Sequence, residues 1–199
     1  MSNLYKIITK VITQNLQTFL EMENILSLNQ MGTIRRTRGA KEQTLFNKAI
    51  NGLHLHKLKT AWLDVAKAFD SVNHEYLLSV LINFGIPNEI TKFIEHAMRN
   101  WSIDLNHSGK YIGQARIEKG ILQGDSLSPL LFVLCMEPIS RLANNNNVPK
   151  IEINLTDKTF HLNHLLFMDD IKIFAYNDAN LKKGLGTNHW QFTGNWVKN

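Results

Sequence analysis

HLNHLLFMDDIKIFAYN, residues 161–177, decides how the rest of this chain is read. Leu165, Leu166, Phe167 and Met168 lead into Asp169-Asp170, and Ile171, Ile173, Phe174 and Ala175 lead out. Aspartate is a poor strand residue and a good turn residue, so two adjacent carboxylates between apolar runs predict the tip of a β-hairpin. Like charges held side by side repel, and a site that keeps both ionised usually supplies a cation. Hard carboxylate oxygens suit Mg²⁺ or Mn²⁺. Alone, the pair is better read as a solvated turn, and the rest of the chain has to decide.

A third acid lies far upstream. Thr60–Val65 (TAWLDV) is short, apolar and strand-like, with Asp64 near its C-terminal end. A carboxylate in an apolar strand is costly unless a cation, a basic partner or a nearby backbone group neutralises it. Between the two acidic sites runs GILQGDSLSP (120–129), a Gly-bearing loop that opens a helix, with Pro129 in its first turn. Leu130–Leu142 is apolar almost all round, which predicts a buried helix, and Pro138 inside it predicts a kink or an early end.

The remaining elements frame these three. Leu4, Ile7, Ile8, Val11, Ile12, Leu16, Phe19 and Leu20 recur at helical spacing and predict an amphipathic helix with a packed stripe. Residues 21–32 read as a loop. Arg35, Arg36, Arg38 and Lys41 form a basic cluster, either a solvated surface or a phosphate contact. A helix from Lys41 carries Leu45, Phe46, Ala49, Ile50 and Leu53 on one face. Asn73 is placed to N-cap a helix that Gly85 and Pro87 stop, and another helix follows from Asn88. Residues 102–120 alternate around Ser108-Gly109-Lys110 and predict a hairpin; 150–157 predict a further strand. Helices interleaved with hairpins give an α+β domain with a mainly antiparallel sheet. Such a sheet can bring Asp64 beside Asp169 and Asp170.

Bulk properties narrow the field. The chain has 199 residues, 44% hydrophobic and 20% charged, which suits a well-buried domain and argues against wholesale disorder. A net charge of +5 permits a polyanionic partner. Cys135 is the single cysteine, which excludes an internal disulfide framework and fits a reducing compartment. His54, His56, His161 and His164 lack a Cys/His pattern for zinc. Asp125 reads as a helix-start residue. The apolar runs are too short to span a bilayer and no signal peptide is evident, so an intracellular setting, cytoplasm or nucleus, is expected.

Three segments together carry a resemblance. LDVAKAFDSVNHEYLL (63–78), GILQGDSLSPLLFVLCMEPISRL (120–142) and HLLFMDDIKIFA (164–175) resemble motifs A, B and C of reverse transcriptases, those of non-LTR (LINE-like) retrotransposons above all. LYKIITKVI and GTIRRTRGAKEQ resemble the finger segments before motif A, so the likeness runs from Asn3 to Lys183. It implies a right-hand polymerase palm at 59–183, partial fingers at 1–58 and a divergent or disordered tail at 184–199. Asp64, Asp169 and Asp170 would be the catalytic acids. They and Val65 would be the metal positions for two Mg²⁺ (or Mn²⁺) ions, with Asp170 in support. Val65, Phe69, Gln123 and Gly124 would meet the incoming dNTP, with Phe69 as the steric gate that rejects a ribose. Arg35, Arg36, Arg38 and Lys41 would lie near template or nucleotide phosphates. The implied partners are an RNA or DNA template, a primer and dNTP. The resemblance also implies a finger arginine, a thumb and a primer grip outside this sequence, so a polymerase cut at both ends is expected.

Two other readings compete. RNA-dependent RNA polymerases use an acid pair spaced like Asp64 and Asp70, but Phe69 would block the ribose hydroxyl and Met168 replaces their usual glycine. A catalytically silent remnant, at most binding nucleic acid, accords with the missing finger arginine and thumb.

Overall fold

A computed structural model describes residues 2–33, 40–53, 58–145, 149–155 and 158–185. In chain order the elements are α1 (Asn3–Met22), α2 (Ala40–Leu53), β1 (Lys59–Leu63), α3 (Ala68–Ser71), α4 (His74–Asn83), α5 (Asn88–Asn100), β2 (Ser102–His107), β3 (Lys110–Arg116), α6 (Ser128–Asn145), β4 (Ile151–Leu155), β5 (Lys158–Leu162), β6 (His164–Phe167), β7 (Asp170–Ala175) and α7 (Asp178–Leu185). They fall into two compact units. One holds residues 1–22 and 67–135; the other holds 23–66 and 136–199.

In the first unit, Asn73 caps α4 as its sequence position predicts. Its side-chain oxygen accepts from the Tyr76 N–H at 3.0 Å. Gly85, with φ +67°, follows the helix where a left-handed residue ends it. The β2–β3 hairpin turns on Ser108-Gly109, both with positive φ, and His107 pairs with Lys110. That is the two-residue type I′ geometry that matches strand twist. Leu16 and Leu20 of α1 are buried, but Leu4, Ile7, Ile8 and Val11 are exposed. The apolar stripe of α1 is therefore buried only toward its C-terminal end. Helix α6 begins in this unit and is buried along almost its whole first half, Leu130 to Met136. It runs on through Pro138 to Asn145 without the early end that the proline suggested.

The second unit is built on a three-stranded antiparallel sheet in the order β1-β7-β6, with β4–β5 as a separate antiparallel pair. The fold is thus α+β with antiparallel pairing, as the element order predicts. One core cluster joins Met31, Ile50, Ile151, Ile153, Leu162, Leu165 and Phe174, with Phe46 and Phe160 meeting edge to face. Ile50 is the buried anchor of α2, whereas Leu45, expected on the same face, is exposed. Alternation on β7 explains its placement in the middle of the sheet. Ile171 and Ile173 bury one face, and Phe174 buries the other into the cluster.

Candidate active site

The sheet register sets out the acidic residues. β1 and β7 run antiparallel with Leu63 opposite Ile171. Continued by one residue, the same register places Asp64 opposite Asp170 at the end of the two strands. β6 and β7 are joined by a two-residue turn: Phe167 pairs with Asp170, leaving Met168 and Asp169 as the tip. Met168 has φ +58°, a left-handed conformation for a side chain with a Cβ. A positive φ at the first tip residue alone is the type II′ pattern, which normally asks for glycine. Strain of this kind persists where the surroundings over-determine it, and it clusters at functional sites.

Asp170 feels the other two carboxylates. Burial, then the charges of Asp169 and Asp64, holds the Asp170 carboxyl above its ordinary range. Asp64 and Asp170 are exposed and Asp169 is half-buried; Val65, next to Asp64, is buried. No three His, Cys, Asp or Glu groups among the described residues stand close enough, as the side chains lie, to hold one metal ion. The aspartates share an electrostatic field rather than a finished coordination sphere. As donors they are all hard oxygens at an open sheet end, the chemistry that suits Mg²⁺ or Mn²⁺. Lys172 of β7 is otherwise engaged: its ammonium donates to Asn47 at 3.0 Å and sits 4.7 Å from the centre of the Trp62 ring.

Phe69, Gln123 and Gly124 come together in the first unit. They line one cleft with Asp125, Ser126 and Pro129. The Phe69 ring stacks on Phe132, with centroids 5.2 Å apart and planes 13° from parallel. The loop from Gly120 is tied to the segment carrying Phe69 by two main-chain bonds. Gly120 N–H donates to Val72 at 2.7 Å and Ile121 N–H donates to Phe69 at 3.0 Å. Gly120 has φ +93°, and a Cβ there would stand 3.0 Å from Asp70 Cα, so only glycine fits. Gly124 also has a positive φ, but a Cβ there would meet nothing within 4 Å. Asp125 stands before the helix starts at Ser128. It is buried, and its carboxylate accepts from Thr9 Oγ of α1 at 2.5 Å. This anchor was not legible in the sequence, where Thr9 is merely a polar break in an apolar stripe.

Of the basic cluster, Lys41 is exposed on α2; Arg35, Arg36 and Arg38 lie outside the described residues, as do His54 and His56. His161 is exposed, while His164 is buried and bonded to Ser140 at 2.8 Å. Asp70 is exposed in the single turn of α3.

The profile of the reverse transcriptase (RNA-dependent DNA polymerase) family matches residues 1–198. The chain belongs to the reverse transcriptase family. Pol polyproteins of R2 retrotransposable elements are among its relatives. This reverse transcriptase chain is 27% identical over 174 residues to the retrovirus-related Pol polyprotein of type-2 retrotransposable element R2DM from Drosophila melanogaster, across 84% of this chain and 16% of that protein. It is 33% identical over 139 residues to the Pol polyprotein of type-1 element R2 from Nasonia vitripennis, across 68% of this chain and 12% of that protein. The chain therefore spans less than a fifth of either relative. Apo telomerase from Candida tropicalis, truncated of its C-terminal domain, superposes with a TM-score of 0.59 at 15% identity, over 94% of this chain and 38% of that one. The shared architecture is the right-hand polymerase fold.

Proposed function

We propose that this chain is the core of an RNA-directed DNA polymerase, joining a dNTP to a primer 3′-hydroxyl opposite an RNA or DNA template. The observation that supports the reading is the β1–β7 register, which, continued one residue past Leu63–Ile171, brings Asp64 beside Asp170 next to the Met168–Asp169 tip in a chain of this family. Asp64 and Asp169 would hold two divalent ions, with the Val65 backbone alongside and Asp170 in support. Aspartates at this open sheet end can rotate about χ1 and χ2 to close on a cation, and a cation would relieve the Asp169 and Asp64 repulsion that adds to burial in raising Asp170. When bound, such ions activate the attacking hydroxyl and stabilise the leaving pyrophosphate in an in-line displacement.

The other residues act on the nucleotide. Phe69, braced by Phe132, would press against the sugar and exclude a 2′-hydroxyl. Gln123 would contact the incoming nucleotide. Gly124, with open space where a Cβ would be, would let its backbone come close. Arg35, Arg36, Arg38 and Lys41 would bind template or nucleotide phosphates. No described helix is long and apolar enough to cross a membrane. A retrotransposon enzyme is expected to work in the cytoplasm and nucleus.

The test is Mg²⁺-dependent primer extension on poly-rA/oligo-dT by the parent, Asp64→Asn and Asp169→Asn. The parent extends, and each variant loses on the order of a thousandfold, the equivalent of about 4 kcal/mol of transition-state stabilisation. Equal rates in parent and variants would refute the acid assignment. A parent that never extends would leave a catalytically silent remnant.

A further inference from the structure

The strained tip that carries Asp169 is gripped by a residue from a distant loop. Gln30 is 1% exposed. Its side-chain oxygen accepts from two main-chain N–H groups, that of Gly32 at 2.9 Å and that of Met168 at 3.3 Å. The first tip residue of a two-residue hairpin has no cross-strand partner for its N–H. Here Gln30 supplies one, away from competing water. The loop also pairs alongside β6. Met31 N–H donates to Leu166 at 2.9 Å, and Leu166 N–H donates to Asn29 at 2.8 Å. Gly32 completes the fit, because a Cβ there would stand 3.0 Å from both the N and the Sδ of Met168.

The loop itself is pinned. Ser27 N–H donates to Glu137 at 3.0 Å, and its hydroxyl lies 2.6 Å from that of Ser140. Asn29 donates to the His164 carbonyl at 2.8 Å and accepts from Asn144 at 2.9 Å. Gln30 is thus fixed from helix α6 and strand β6 before it reaches the tip. A glutamine so held resists the relaxation of Met168 out of its left-handed conformation, and so sets where Asp169 points.

We propose that Gln30 is a positioning residue that, with Gly32, locks the Met168–Asp169 tip in the geometry that binds the divalent cation. This rests on the reading of that tip as the metal-binding end of a polymerase palm. The experiment uses the full chain as parent, Gln30→Met (same bulk, no acceptor), Gln30→Glu (acceptor retained), Gly32→Ala and Ile153→Val. The last is a core control chosen for a comparable loss of thermal stability. Free Mn²⁺ is followed by electron paramagnetic resonance, and exchange of the Met168 amide by NMR.

Gln30→Met and Gly32→Ala should weaken Mn²⁺ binding about tenfold, the usual effect of losing a group that orients a ligand. Gln30→Met should also speed Met168 amide exchange. Gln30→Glu should stay within about threefold of the parent, and Ile153→Val should match the parent despite its lower stability. Parental Mn²⁺ affinity in Gln30→Met, or an equal drop in Ile153→Val, overturns the proposal. If the parent binds no Mn²⁺, the metal reading beneath falls first. Met168 exchange then decides the grip by itself: faster in Gln30→Met upholds it, unchanged removes it.

Discussion

Leu63 lies opposite Ile171, and that single pairing brings Asp64 and Asp170 to the same end of adjacent strands. Everything proposed about the acidic site depends on it. The arrangement carries a cost that can be measured without any substrate.

The cost sits on Asp170, whose carboxyl is held above its ordinary value of 3.8 by burial and by the Asp169 and Asp64 charges. A carboxyl with a raised folded pKa keeps its proton longer in the folded state. Below the ordinary value both states are protonated and nothing is lost; as pH climbs through the raised value, stability falls and stays lower. Asp170→Asn should therefore raise the melting temperature at pH 7 and lose that gain near pH 3. Added Mg²⁺ should shrink the pH 7 difference between parent and variant. A variant no more stable than the parent at pH 7 contradicts the crowding of these acids.

Phe69 stacks flat on Phe132. Removing the gate ring should open room for a ribose. Phe69→Ala should raise rNTP use relative to dNTP by on the order of 10- to 100-fold, the 1–3 kcal/mol that a single pocket clash typically enforces. Competing incorporation of the two nucleotides in one primer-extension reaction gives the ratio. A parent that already prefers rNTP would remove Phe69 from this role.

Burial, reinforced by the Lys150 ammonium, pushes His164 down to about 4 from the ordinary 6.5. The unfolded chain then takes up a proton that the folded chain refuses. Stability should drop as pH falls from about 6.5 towards 4, by up to roughly 3 kcal/mol from this group. Urea midpoints at pH 7 and pH 5 measure the slope, and His164→Gln should flatten it. An unchanged slope in that variant would assign the acid sensitivity elsewhere.

Two glycines should respond in opposite directions to alanine. Gly120→Ala forces a Cβ to 3.0 Å from Asp70 Cα at a left-handed backbone and should cost at least about 2 kcal/mol. Gly52 lies in α2 with nothing within 4 Å of a new Cβ, so Gly52→Ala should add about 0.5–1 kcal/mol. Thermal unfolding of both variants checks the pair.

Much of this is legible in the sequence. Ser108-Gly109 and Asn73 act through local backbone chemistry, which is written in adjacent residues; the acidic hairpin is legible in the same way, but its tip is Met168-Asp169, one residue before the expected Asp169-Asp170, and Asp170 pairs in β7. Asp64 stands out as a carboxylate in an apolar strand and the 120–129 loop by its glycines, while their metal and nucleotide roles come from the resemblance. What stayed hidden depends on partners far along the chain. Gln30 bonds to a main-chain N–H at Met168, which leaves no side-chain pattern to read. Thr9 finds Asp125 across 116 positions. The stripe on α1 was over-read, because helical spacing says which residues share a face and not how much of that face is covered. Pro138 does not end α6 early: in a helix buried nearly all round, packing outweighs one missing N–H.

The central sheet has a consequence for how the protein is made. β1 leaves the ribosome early, but its neighbour β7 follows roughly a hundred residues later. At ordinary translation speeds that is a wait on the order of ten seconds. During it, a strand bearing Trp62 offers its open edge to any other nascent chain. Chaperone occupancy should be heaviest in that interval, and slowing elongation between the codons for Leu63 and Ile171 should lower the soluble yield.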